Sequence, residues 1–168
     1  MRYLHSPFYF RVANLPSRPK EYGASKHVEL DLLPGIYRVY SRAFHQPVDL
    51  IRVELSRSDQ ATPYDYSITL PNEKRYCDLK LCYQAEEFGG LSPQTSREIA
   101  NLLAHGTDVL VISAEKAYLL LAGEYSPPVR WPLRDLERRA RVCVSVHRLW
   151  GYLAEGYLAK AYEAVRPN

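Results

Sequence analysis

The sequence offers no apolar run long enough to cross a bilayer. Residues 117–122 form the longest apolar stretch near its middle, far short of the roughly 20 residues a spanning helix needs. Its first residues, Met1-Arg2-Tyr3-Leu4-His5, lack a basic segment leading into an apolar one. No secretion signal or membrane partner is therefore expected, and a cytoplasmic location is the default. Cysteine is scarce: Cys77, Cys82 and Cys143 form no Cys-x-x-Cys pair. No histidine stands at ligand spacing from them, which argues against a structural zinc site. If 75–83 is a strand, Cys77 and Cys82 face opposite sides, and buried inert thiols are the expectation.

Several chemical signatures are missing too. Gly-x-Gly-x-x-Gly, a phosphate loop and Gly-x-Ser-x-Gly are all absent, which sets aside nucleotide-dependent and serine-hydrolase chemistry. The five histidines, His5, His27, His45, His105 and His147, make no His-Glu-x-x-His or His-x-His pair. There is no internal repeat and no low-complexity segment. Charge of one sign is not in excess, the net charge being +3.

What is present is ordinary globular composition, 46% hydrophobic and 24% charged over 168 residues. That length suits one domain able to bury roughly two-thirds of its unfolded surface. The fold expected is α+β, a single domain over 1–168. A strand-rich part over 7–83 supplies an antiparallel sheet of about five strands, and a helix-rich part over 92–165 packs on it.

Residues 7–13 read as a short strand and 14–27 as a loop bearing Arg18, Lys20 and Lys26. Val28, Leu30 and Leu32 alternate, Pro34-Gly35 reads as a turn, and 36–44 as a second strand. Residues 48–55, 64–70 and 75–83 follow as further strands, and 86–90 as a hinge-like loop. In the second half, Thr95-Ser96-Arg97-Glu98 fits a capping box opening a helix to residue 105. Gly106 stands at its C-cap, where His105 suits the helix dipole. Residues 108–113 read as a buried strand. Ser113 can cap a helix to Leu121 that stops at Gly123. Pro132 opens a final helix, although 141–146 also alternates and a strand there stays open.

Three functional readings follow. Arginine outnumbers lysine 16 to 6 and tyrosine reaches 14, a pairing suited to phosphate and base contact. Arg134, Arg138, Arg141 and Arg148 share one face if that final helix continues, and together with Arg18 and Lys20 can follow a phosphate backbone. This supports a non-catalytic nucleic-acid-binding or accessory subunit without a cofactor. Asp135–Arg139 and Glu137–Arg141 pairs at four-residue spacing would neutralise part of that field. A third reading is an assembly protein. Trp150, Tyr152, Leu153, Tyr157 and Leu158 would then dock a protein partner or a second copy.

The second reading is enzymatic. Asp78 and Lys80 project from one face of a strand because side-chain direction repeats every two residues. A second carboxylate beside them, Asp49 or Asp65, can hold Mg²⁺ while Lys80 orients water or offsets developing charge. The arrangement resembles the restriction-endonuclease-like nuclease superfamily: an Asp on one strand, Asp/Glu-x-Lys on the next, then a helix and another strand. The resemblance spans roughly residues 36–113. It implies a metal-dependent nuclease with catalytic residues among Asp49, Asp65, Asp78 and Lys80, and with Asp49 and Asp78 as metal ligands. From Asp49 to Asp78 the spacing is long and an extra strand intervenes, so the partner carboxylate is open between Asp49 and Asp65.

Overall fold

The computed structural model describes residues 26–56, 64–82, 84–124, 132–146 and 149. The predicted strand at 7–13, the loop cations Arg18 and Lys20, Arg148, and the docking residues Trp150, Tyr152, Leu153, Tyr157 and Leu158 lie outside them. The chain is α+β. Its elements are α1 (Lys26–Phe44), a 3-10 turn (Val48–Leu50), β1 (Arg52–Leu55), β2 (Tyr66–Thr69), β3 (Lys74–Leu81), α2 (Ala85–Phe88), α3 (Pro93–Ala104), β4 (Thr107–Ile112), β5 (Lys116–Leu120), α4 (Leu133–Arg139) and β6 (Val142–Ser145). Among the described residues no helix is long and apolar enough to cross a membrane.

The six strands form one sheet in chain order. All neighbours are antiparallel except β3 and β4, which run parallel with Cys77 opposite Asp108 and Lys80 opposite Val111. The parallel pair follows from α3, because a parallel return needs a crossover and the helix supplies it. The sheet is therefore mixed. Among the described residues, three of its strands come from the first half and three from the second.

The largest departure from the sequence reading is α1. Residues 28–44, read as two strands about a Pro-Gly turn, form one helix with Pro34 inside it. Leu32, Leu33, Ile36, Tyr37, Tyr40 and Ala43 recur at helical spacing and are all buried. Burying that stripe outweighs the lost Pro34 hydrogen bond and the low helix propensity of Gly, Val and Tyr. Gly35 is where the helix passes another segment closely: an added Cβ would stand 2.7 Å from Leu149 Cδ1.

Two other elements differ. Residues 113–121 form a turn and β5 rather than a helix. Ala117 and Leu119 enter the core under α1, while Tyr118 and Leu120 enter the core under α3. A strand buried on both faces is apolar throughout, so periodicity cannot separate it from a helix. Ser113 serves the turn, its Oγ accepting from the Lys116 N–H at 3.0 Å and the Glu115 N–H at 3.3 Å. The cap of α3 is Ser92, which accepts from the Thr95 N–H at 3.1 Å, with Pro93 in the first turn. Thr95 is thus inside the helix, and Glu98 is free of the capping role. His105 does end α3, its Nδ1 bonding the Asn101 carbonyl at 2.7 Å. The open choice at 141–146 resolves as strand over Val142–Ser145.

One buried ionic network joins the layers. The Asp108 carboxylate is fully buried on β4. It accepts from the Tyr40 hydroxyl of α1 at 2.7 Å, from Arg75 Nε and Nη2 of β3 at 2.8 Å each, and from the Ala122 N–H at 2.8 Å. Arg75 also lies 5.2 Å from the Phe44 ring centroid. Burial first, then the neighbouring Cys77 and Asp108, push the Tyr40 hydroxyl well above its ordinary pKa, so it stays a donor. Removing one member of such a network leaves an uncompensated buried charge. Asp108→Ala is expected to cost about 3–5 kcal/mol and Tyr40→Phe about 1.5–3 kcal/mol. Urea denaturation followed by circular dichroism checks both; an Asp108→Ala loss under about 1 kcal/mol contradicts this account.

Candidate nuclease site

Alternation sorts the residues of β1–β3. Val53, Leu55, Tyr66, Ile68, Cys77 and Leu79 face the core under α1. Their neighbours Arg52, Glu54, Ser67, Thr69, Lys74, Tyr76, Asp78 and Lys80 take the opposite face. On that face α3 packs against β4, so Asp78 and Lys80 lie beside the helix rather than beneath it.

Asp65 immediately precedes β2. Since Tyr66 pairs with Cys77, Asp65 stands opposite Asp78 as the antiparallel register continues. Its backbone is held on both sides, the N–H donating to Cys77 O at 2.9 Å and the carbonyl accepting from Ser56 N–H at 2.8 Å. Its carboxylate accepts the Leu79 N–H at 2.8 Å. The side chain thus replaces a backbone acceptor where the two strands part.

The two carboxyl groups are hydrogen-bonded to each other. Burial, then the Asp65 charge, then that hydrogen bond raise the Asp78 pKa to about 7 against the partial relief of Lys80. The Lys80 ammonium is 3.4 Å from Asp78 Oδ2 and 3.4 Å from Glu98 Oε2 on α3. Burial lowers the Lys80 pKa, but the Asp78 and Glu98 charges outweigh it and leave it raised. Lys80 is therefore held as a cation between two carboxylates. Glu98, Asn101, Leu102 and His105 of α3 with Lys80 and Thr107 line a groove of about 390 Å³ along the flank of β3.

Asp49 does not belong to this cluster. It lies in the 3-10 turn before β1, at the far end of that strand from Ser56 and Asp65. A four-residue strand alone spans roughly 13 Å, so Asp49 cannot share a metal with Asp78. Of the two carboxylates left open by the sequence, Asp65 is the one that stands opposite Asp78, with no further strand between the strand it opens and β3.

The arginine ridge does not form as drawn from the sequence. Helix α4 ends at Arg139, and Arg141 lies beyond it with its N–H bonded to Leu119 O. Only Arg134 and Arg138 of that set share the helix. Arg138 pairs with Asp135 at 2.8 Å, Arg141 with Glu124, and Glu137 with Lys116, the last two in place of the expected Glu137–Arg141 pair. The physical cause is β6, which pairs with β5 and buries Val142 and Val144.

Sequence reasoning missed Glu98 because the capping-box pattern absorbed it. It also missed Tyr64 and Tyr76, whose rings approach to 4.4 Å between centroids. Their signal was available: Tyr64 directly precedes Asp65, and Tyr76, Asp78 and Lys80 share one strand face at a period of two. The thiols are free. Cys77 and Cys82 contact opposite cores, and burial pushes the Cys82 thiol up to about 11, too high for a nucleophile. Among the described residues no group of three or more His, Cys, Asp or Glu side chains is placed to hold a metal. Comparison with family models, curated proteins and solved structures finds no match for the chain.

The Asp65–Asp78 pair has a stability consequence. Asp78 has a folded pKa of about 7, above its unfolded value of about 3.9. Between those pH values the folded state holds a proton that the unfolded state has lost, so stability falls as pH rises through that window. It is unaffected by this group below about pH 4 and carries the full penalty above about pH 7. Asp78→Asn removes the penalty. Its stability relative to the parent is expected to climb from near parity at pH 4 to a gain of several °C in Tm at pH 8. Thermal melts in chelator across that range test this, and a pH-independent difference contradicts the shared proton.

Proposed function

We propose that the chain is a metal-dependent nuclease whose site is Asp65, Asp78 and Lys80. The observation supporting this most strongly is the pairing of two carboxylates across β2 and β3, with a lysine two residues along the same face. Two acids in hydrogen-bond contact repel when both ionise, and here a shared proton relieves them near neutrality. A divalent cation relieves the same repulsion, and hard oxygen donors are what Mg²⁺ takes. Two carboxylates suffice, because Mg²⁺ usually keeps waters and adds substrate phosphate oxygens. The donor set therefore fits the metal, with Asp65 and Asp78 as its holders.

When bound, Mg²⁺ would polarise the phosphate and lower the pKa of a water. The chain's own residues do the rest. The Leu79 N–H fixes Asp65, and the register of β2 on β3 fixes Asp78. Glu98 holds Lys80 from the helix side, so its ammonium stands ready for the charge that develops on the phosphoryl oxygens. The order of elements around these residues, Asp before β2, Asp-x-Lys on β3, then α3 and β4, is the order implied by the resemblance to restriction-endonuclease-like nucleases. The nucleic-acid partner suggested by the arginine and tyrosine content enters this reading as the substrate.

Incubation with single- and double-stranded DNA and RNA in Mg²⁺ or Mn²⁺, with a chelator control, is the test. Cleavage is expected with metal only. Asp65→Asn, Asp78→Asn and Lys80→Ala should each lower the rate at least about 100-fold, while Asp49→Ala should match the parent. Full cleavage by a folded Asp78→Asn variant, or no cleavage of any substrate by the parent, overturns the proposal.

A further inference from the structure

The feature left unused by that chemistry is the aromatic pair beside it. Tyr64 is the chain neighbour of Asp65, and Tyr76 lies two residues before Asp78 on the same face of β3. Their rings are 4.4 Å apart between centroids and inclined at 39°. Lys74, a further two residues back, places its ammonium 5.7 Å from the Tyr76 centroid. Neither ring belongs to the core clusters, and both are only half-buried. Ser56 Oγ donates to the Tyr64 carbonyl at 2.9 Å, so the backbone that presents this ring is fixed rather than a passing loop conformation.

The spacing has a chemical meaning. Side chains two residues apart on a strand are separated by ~6.6 Å, about one nucleotide of an extended strand. A phosphate drawn to the Asp78–Lys80 end therefore leaves an adjoining base beside the tyrosines. An unpaired base exposes a π-face that an aromatic ring can use, whereas a base inside a duplex has both faces occupied by its neighbours. The electrostatics agree. Duplex binding commonly draws on some 6–10 phosphate contacts. On this face Arg52 is paired with Glu54 at 2.9 Å, Lys80 with Asp78 and Glu98, and Lys74 sits by the Tyr76 ring. Such a face is too weakly basic for a duplex backbone but suits stacking reinforced by one cation.

We infer that the site selects single-stranded nucleic acid, with a base packed against the Tyr64–Tyr76 pair and Lys74 meeting the adjoining phosphate. This rests on the nuclease reading for the position of the scissile phosphate, but its test does not need cleavage.

Fluorescence anisotropy in chelator, at low salt, would compare fluorescein-labelled dT15, rU15 and a 15-base-pair DNA duplex on the full chain. The single strands are expected to bind at least about tenfold tighter than the duplex. Tyr64→Ala and Tyr76→Ala should each weaken dT15 about tenfold, whereas Tyr64→Phe and Tyr76→Phe, which keep the ring, should stay within about twofold. Lys74→Ala should flatten the salt dependence by about one phosphate contact. The wild-type comparison needs no variant, so a misfolded alanine mutant does not decide the outcome. The difference between dT15 and rU15 reports whether DNA or RNA is preferred. Equal affinity for duplex and single strand, or phenylalanine variants as weak as the alanine ones, overturns the inference. Tyrosine-dependent binding by a protein that never cleaves leaves the stacking site standing and removes the nuclease reading. Cleavage of duplex and single strand alike, unaffected by the alanine variants, does the reverse.

Discussion

Asp108 is the charge around which the rest of the sheet is set. A carboxylate with no exposed surface is tolerated only when every oxygen is satisfied, and here α1, β3 and the segment after β5 each supply a donor. The bidentate contact with Arg75 does more than neutralise it. Arg75 lies between Lys74 and Tyr76 in sequence, so drawing its side chain toward Asp108 turns its neighbours to the other face. A one-residue slip of β3 would send Arg75 outward and bury Asp78 and Lys80 instead. The same contact thereby holds the parallel β3–β4 register and the orientation of the residues that form the candidate site.

On the outer face the forces run the other way. Asp65 and Asp78 stand opposite each other, with backbone hydrogen bonds fixing one and a strand register fixing the other. The protein thus keeps a repulsive pair in place and tempers it with a proton and with Lys80. Asp108 differs: that acid has four donors from three segments, while Asp78 is part-exposed and meets Lys80, which lines the groove.

The cations near the surface illustrate why charge counts in a sequence say little about fields. Arg138, Arg141 and Lys116 each meet a carboxylate, and exposed pairs of this type contribute little to stability while cancelling the long-range potential. A ridge of four arginines drawn on one helix dissolves once the helix gives way to β6.

Read from residues alone, much of the second half was legible. The apolar stripe of α3, its stop at His105-Gly106 and the buried run of β4 are local signals, written in caps and spacing. The Asp78-x-Lys80 face was legible for the same reason, since a strand's two-residue period is intrinsic to the backbone. Not legible were α1, β5 and the partner of Asp78. Pro34-Gly35 and the β-branched and aromatic residues around it favour turn and strand locally, and only burial of Leu33, Ile36 and Tyr40 against the sheet reverses that preference. The Ala117–Leu120 run suits helix and strand equally until both its faces are covered. Asp49 and Asp65 are equivalent as residues, and which of them meets Asp78 depends on where β1 and β2 end. Chain order and periodicity thus determined which residues could act together. Strand register and burial, which are long-range and cooperative, decided which of them do.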